Sequence, residues 1–270
     1  MTLIIFESIK ATILAVVEGF TEFLPISSTG HLILVNQFIS FDKAYTLLFD
    51  IIIQLGAILA VVVFFWKKLW PFTKDKVKNQ EILNIWYKTI VGVLPAIIIG
   101  ALFAGKIEDK LFNPWTVAIA LLVGGFIILI VESRKIKTKI NSIKDLSFKT
   151  AFYIGIIQCL SLIPGTSRAG ATIIGAMVLG ASRVVATEFS FFLAIPTMVA
   201  ASAWSLLKYH AILDTNQIIV LAVGFIVSFL VALGVIRFFI NYVRKNNFRI
   251  FGYYRIILGI IIIAYFLLNK

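Results

Sequence analysis

Six residues in one short apolar stretch, AVVEGFTEFLPISSTGHLILV (15–35), combine groups that do chemistry: Glu18, Glu22, Ser27, Ser28, Thr29 and His31, arranged around Pro25. Glu18 and Glu22 stand at i and i+4 and so share one face of a helix. Two carboxylates so placed repel unless one is protonated or a cation lies between them. An all-oxygen ligand set of this kind suits Mg²⁺ or Ca²⁺ rather than Zn²⁺. The plain alternative is an acid pair hydrogen-bonded to neighbouring helix backbone. Ser28 and His31 are three apart in the next half-helix, a spacing that lets an imidazole reach a hydroxyl directly or through substrate. Ser28 is therefore the candidate nucleophile and His31 the candidate base, with His31 itself as the other candidate nucleophile. Ser27 and Thr29 add hydroxyls for substrate.

A second stretch, LSLIPGTSRAGAT (160–172), places Arg168 just after a proline-glycine turn, where a new half-helix opens. Helix N-terminal amides favour an anion there, and a guanidinium matches phosphate oxygens bidentately. Thr166, Ser167 and Thr172 supply further hydroxyl donors. Arg168 could instead pair with Glu18 or Glu22 and simply lock the two stretches together. Carboxylates, a divalent ion, a hydroxyl, an imidazole and an anion cradle together suit phosphoryl transfer, where positioning and charge neutralisation do most of the work. No Walker loop or dinucleotide fingerprint is present, which argues against a nucleotide substrate.

The elements that must position these groups are membrane helices. Hydrophobic residues make up 60% of the 270 and charged residues only 14%, with a mean hydropathy of +1.01. A soluble domain carries roughly 25% charged residues, so this chain has too few to cover a water-facing surface. Charged groups at membrane depth cost a few kcal/mol each and mark function by default. A site walled by apolar helices points to a substrate with a lipid tail and a phosphate head. The +12 formal charge lies mostly in inter-helix loops and no basic motif with interleaved aromatics accompanies it, so nucleic acid is excluded as a partner. The single cysteine, Cys159, rules out an internal disulfide and any cysteine metal site. The N-terminus shows no basic n-region or cleavage site, so no removable signal peptide is expected.

Spans of the ~20 residues needed to cross a bilayer are predicted at about 45–66, 89–105, 115–132, 185–207, 217–240 and 253–268. Residues 1–14 are amphipathic and are expected at an interface. The pieces 15–24 and 29–40, like the two halves of 150–180 around Pro164-Gly165, are too short to span and read as re-entrant helix-loop-helix segments. Loop 67–88 holds six lysines, loop 133–149 six Lys or Arg, and loop 241–252 holds Arg244, Lys245 and Arg249, with Arg255 just beyond. Loops 106–114 and 208–216 balance bases with acids, and His210 is expected solvated in the latter. The positive-inside rule makes the three basic loops cytoplasmic. Counting crossings then brings 150–180 in from the cytoplasm and the first broken segment in from outside. The fold class that follows is all-α and polytopic: about six spanning helices plus two re-entrant segments in one membrane domain, 1–270. Inverted repeats of about 1–132 and 150–268 are joined by a basic cytoplasmic loop, 133–149. Pro25-Ile-Ser-Ser-Thr-Gly aligned on Pro164-Gly-Thr-Ser-Arg-Ala sets Ser28 against Ser167, and Phe49 and Phe189 follow the prolines by 24 or 25 residues.

EGFTEFLPISSTGH and PGTSRAGAT, in that order and spacing, resemble the two signature motifs of the bacterial undecaprenyl-pyrophosphate phosphatases, the bacitracin-resistance family. The likeness continues through FDIIIQLGAILAVVVFFW (49–66) and SRVVATEFSFFLAIPTM (182–198). It implies a membrane phosphoric anhydride hydrolase. Such an enzyme converts the polyprenyl diphosphate carrier to its monophosphate and recycles it for the cell wall. The likeness also implies a bacterial plasma-membrane location among membrane lipids, divalent-cation dependence, and an active site open to the external face. Carried over by position, the acidic motif falls on Glu18 and Glu22 and the serine-histidine motif on Ser28 and His31. The second motif falls on Ser167, Arg168 and Thr172. Ala169 departs from the serine often found after the arginine, so no essential hydroxyl is expected there. A transporter that moves the lipid monophosphate is the rival reading, since broken helices meeting at the midplane also serve carriers. Oligomeric state, a homodimer included, is not fixed by the sequence.

Overall fold

The computed structural model describes residues 2–134, 136–207 and 213–269, so His210 lies outside the described residues. Those residues form helices and their connections, with no strand among them. In chain order the helices are α1 (Thr2–Thr21), α2 (Ser28–Val35), α3 (Lys43–Phe64), the single turn α4 (Trp66–Leu69), α5 (Lys76–Leu111) and α6 (Pro114–Ser133). They continue as α7 (Phe148–Gln158), α8 (Arg168–Val178), α9 (Arg183–Leu207), α10 (Thr215–Val243) and α11 (Arg249–Leu268). Six of these, within α3, α5, α6, α9, α10 and α11, are long and apolar enough to cross a membrane. The chain is a multi-pass membrane protein.

Starts are set by local side chains. Asp42, Asn113, Ser147 and Asp214 each accept a hydrogen bond from a first-turn amide of the helix that follows, meeting donors that the helix itself leaves unpaired. Packing then follows small residues. Gly125 of α6 faces Gly252 of α11, where a Cβ on Gly125 would stand 2.8 Å from the Gly252 carbonyl. Close backbone approach of this kind replaces the hydrophobic drive that lipid removes. Helices α1 and α3 both pack along α10, α7 and α9 both pack along α5, and α6 pairs with α11.

Four expectations need correction. The separate interfacial segment 1–14 and short half 15–24 are one continuous helix, α1. No breaker intervenes before Pro25, and the charges of Glu7 and Lys10 pair with each other at 3.1 Å. The span expected at 89–105 is the core of a 36-residue helix, α5, that absorbs much of both flanking loops. Asp75 starts it by accepting from the amides of Val77 and Lys78. Lys88, counted above as a loop charge, is buried and donates to the Lys144 carbonyl at 2.9 Å. Arg255, counted beside a cytoplasmic loop, lies inside α11 and is 1% exposed.

Candidate active site

The two broken stretches meet. Both open their short helix with a serine in left-handed backbone geometry, Ser27 at φ 70°, ψ 100° and Ser167 at φ 70°, ψ 113°. In each, the serine oxygen accepts from the amide three residues on, Gly30 at 3.3 Å and Gly170 at 3.0 Å. Positive φ costs a non-glycine residue about 1–3 kcal/mol and persists only where its surroundings enforce it. Arg255 bridges the backbone beside both serines. Its guanidinium donates to the carbonyls of Pro25 at 3.3 Å, Gly165 at 3.2 Å and Thr166 at 3.0 Å, and also to Ala120 and Leu121 of α6. One buried side chain thus ties both breaks to the same helix pair.

Beside that clamp, Arg168 of α8 reaches across to Glu22, just past the end of α1. Its Nη2 lies 3.1 Å from Glu22 Oε1, and its Nη1 donates to the Ser190 carbonyl at 3.0 Å. Both side chains of the pair are more than nine-tenths buried. Glu22 Oε2 accepts the Ser28 hydroxyl proton at 2.6 Å. Glu22 therefore joins the candidate nucleophile to the candidate anion-binding group, and the sequence-derived acids, hydroxyl and guanidinium share one place. The locking role considered for Arg168 is present as this ion pair, with Glu22 as the partner.

His31 takes a different position from the one its spacing suggests. Its Nδ1 lies 2.7 Å from the Ser27 carbonyl and its Nε2 2.6 Å from the Tyr254 hydroxyl, while the Ser28 hydroxyl turns to Glu22. The i, i+3 spacing brings the two residues onto one face, but the strained turn at Ser27 aims Ser28 back toward α1. Thr172 is fully buried, with its hydroxyl spent on the Arg168 carbonyl at 2.9 Å and on Ser190 Oγ at 2.6 Å. It supports the backbone that carries Arg168 instead of facing a ligand. Ser27 and Ser167 are engaged as helix caps, and Thr166 lends its carbonyl to Arg255. Ser28, Thr29, Thr166 and Arg168 are half-buried as whole residues.

Glu18 is 2% exposed, and its Oε1 has no hydrogen-bond partner. It lies within reach of the charges of Glu22, Arg168 and Asp50, whose Oδ1 is also buried and unpartnered. Among the described residues no three or more His, Cys, Asp or Glu side chains are grouped so as to hold a metal on their own. An orphaned carboxylate oxygen beside a second carboxylate with spare lone pairs nevertheless fits a cation that takes its other ligands from substrate and water. Mg²⁺ binds in that way, through one or two carboxylates plus phosphate oxygens.

The profile of the family described as "Bacitracin resistance protein BacA" matches residues 11–261. The chain belongs to that family. It is 49% identical over 271 residues to an undecaprenyl-diphosphatase of Lachnoclostridium phytofermentans, with 98% of each chain covered. It is 49% identical over 273 residues to undecaprenyl-diphosphatase 1 of Clostridioides difficile, with 99% of each covered. An undecaprenyl-diphosphatase of Enterococcus faecalis is 46% identical over 272 residues, covering 97% of this chain and 98% of its own. Four participants escaped the motif reading: Asp50, Ser190, Tyr254 and Arg255. Two of them, Asp50 and Arg255, carried a usable signal, an ionisable residue in the middle of an otherwise apolar helix.

Proposed function

We propose that this BacA-family protein is an undecaprenyl-diphosphatase, removing the terminal phosphate of undecaprenyl diphosphate and so recycling the cell-wall lipid carrier and conferring bacitracin resistance. The observation that carries the reading is the chain of contacts Ser28–Glu22–Arg168, which joins a hydroxyl, a proton acceptor and a phosphate-binding cation. The relatives' names supply the substrate. Ser28 Oγ attacks the terminal phosphorus while Glu22 Oε2 takes its proton; the bridging P–O bond breaks and undecaprenyl phosphate leaves. Water then attacks the phosphoserine and gives a proton to His31 Nε2. Inorganic phosphate departs, Ser28 recovers its proton from Glu22, and His31 releases the water-derived proton to solvent. Arg168 holds the terminal phosphate oxygens through the transfer, helped by Thr29 and Thr166. Glu18 and Glu22 would hold Mg²⁺ or Ca²⁺, which when bound offsets the charge of the diphosphate. Serving as base and ligand together is within Glu22's capacity, because its two oxygens offer about four lone-pair sites.

The packing pattern supports an inverted repeat in which α1–α3 and α5–α6 correspond to α7–α9 and α10–α11, since α1 and α3 meet α10 as α7 and α9 meet α5. On that reading the breaks at Pro25 and Pro164 enter from opposite faces, in the plasma membrane, with the pocket open to the external side. The test is phosphate release from undecaprenyl diphosphate by protein purified in detergent, where no two sides exist and transport alone gives no product. Wild type turns over. Ser28→Ala reduces kcat to background while keeping its melting temperature. Substantial turnover by Ser28→Ala would move the nucleophile to His31 or water and sink this assignment.

A further inference from the structure

Tyr254 of α11 touches His31 but takes no part in the steps above. Tyr254 stands beside Arg255 on α11, and consecutive helix residues point roughly 100° apart, so Arg255 turns in to the two breaks while Tyr254 turns toward α2. Its hydroxyl lies 2.6 Å from His31 Nε2. The two rings are stacked, 5.5 Å between centroids and 13° between planes. The other ring nitrogen, Nδ1, is 2.7 Å from the Ser27 carbonyl. A carbonyl oxygen can only accept, so Nδ1 carries the proton; in the neutral ring Nε2 is then an acceptor and Tyr254 is its donor.

We propose that Tyr254 is a positioning residue that holds His31 with Nε2 unprotonated and directed at the Tyr254 hydroxyl. This rests on the reading above, in which His31 Nε2 takes a proton from the hydrolytic water. Helix α2 has eight residues and begins at the strained Ser27. Among the described residues the other hydrogen bond to the ring is the one to the carbonyl four residues back. Tyr254 supplies a second hold from an element 223 residues away in the chain, and it does so through a bond on the exposed side of the ring. Water entering after phosphoserine formation takes the place of that hydroxyl at Nε2. The tyrosine fixes the tautomer and direction of the base between turnovers and yields when the base is needed.

The test compares Tyr254→Phe, which keeps the stacked ring and removes the hydroxyl, with Tyr254→Leu, which removes both. Each is purified in detergent, its melting temperature checked against wild type, and assayed with undecaprenyl diphosphate. A positioned proton-transfer group contributes about 10²–10⁴-fold; loss of its aim alone is expected to lower kcat about tenfold in both variants, with KM changed less than about twofold. In ¹⁵N-histidine NMR spectra, the His31 signals, identified as those lost in His31→Gln, show one Nδ1-protonated tautomer in wild type and a mixture in Tyr254→Phe. Wild-type kcat and an unchanged tautomer in Tyr254→Phe would overturn the proposal. So would a Phe variant with full activity beside an impaired Leu variant, since the ring alone would then matter. His31→Gln in the same assay separates the two levels. If it is inactive while Tyr254→Phe is unaffected, only the tyrosine's role fails; if it turns over normally, the role given to His31 fails first.

Discussion

Arg255→Lys keeps the charge of Arg255 and discards its geometry. The guanidinium donates to five carbonyls, those of Pro25, Ala120, Leu121, Gly165 and Thr166, at 3.0–3.4 Å. An ammonium has three donors and no planar fork, so at least two of those carbonyls lose their partner in a site that is 1% exposed. A hydrogen bond to a charged group contributes about 1.5–3 kcal/mol. Two lost bonds therefore amount to about 3–6 kcal/mol, a large share of the ~5–15 kcal/mol that holds a typical fold. At about 2–4 °C per kcal/mol for a chain somewhat shorter than this one, the apparent melting temperature in detergent should fall on the order of 10 °C. Turnover should drop with it, because both strained serines lose the group that holds their loops. Gly124→Ala should do the same from the other side, since a Cβ there would meet the Arg255 guanidinium. An Arg255→Lys protein that melts and turns over like wild type would show that the carbonyl cluster is satisfied some other way, and the clamp argument would be wrong.

Glu22→Gln removes the proton acceptor of Ser28 and the counter-charge of Arg168 together. Activity should fall more than about 10²-fold, and leaving a buried cation unpaired should cost about 3–5 kcal/mol. Adding Arg168→Met should restore much of the melting temperature and none of the activity; recovery of turnover in the double variant would contradict the site. Gly165→Ala should lower thermal stability, because φ there is +89° and a Cβ would stand 2.6 Å from the Val117 carbonyl, adding a clash to a conformation that costs an L residue about 1–3 kcal/mol; a melting temperature equal to wild type would show that this turn can relax. Chelation should stop phosphate release and added Mg²⁺ or Ca²⁺ restore it. Calorimetric binding of the cation should be lost in Glu18→Gln, and unchanged binding would remove Glu18 from the ligand set.

The spans were legible because six runs are simply too apolar for water, and the two short helices because proline and turn residues interrupt them. The acids, Ser28 and Arg168 were legible as ionisable or nucleophilic groups within those interruptions. What spacing did not give was direction. The i, i+3 relation of Ser28 and His31 holds in α2, yet Ser27's left-handed backbone turns Ser28 back to Glu22 and leaves the imidazole to Tyr254. That backbone state has no residue signature, since serine adopts it here only under external restraint. Arg255 was hidden for the opposite reason. Counting basic residues near span ends treats each as a solvated cytoplasmic charge, and that count absorbed Arg255 and Lys88, whose side chains are buried.

The two halves of the site share a dependence on Arg255. Ser28 and His31 lie on α2 and Arg168 opens α8, but the loops that precede those two helices are tied to each other through a guanidinium on α11, the last helix, together with α6. The carbonyls of both breaks thus share one donor, and that donor is in place only where α11 packs against α6. A chain truncated before α11 could still insert its earlier spans, since those are set by apolarity. It would carry every group that performs the proposed chemistry and lack the fixed relation between them.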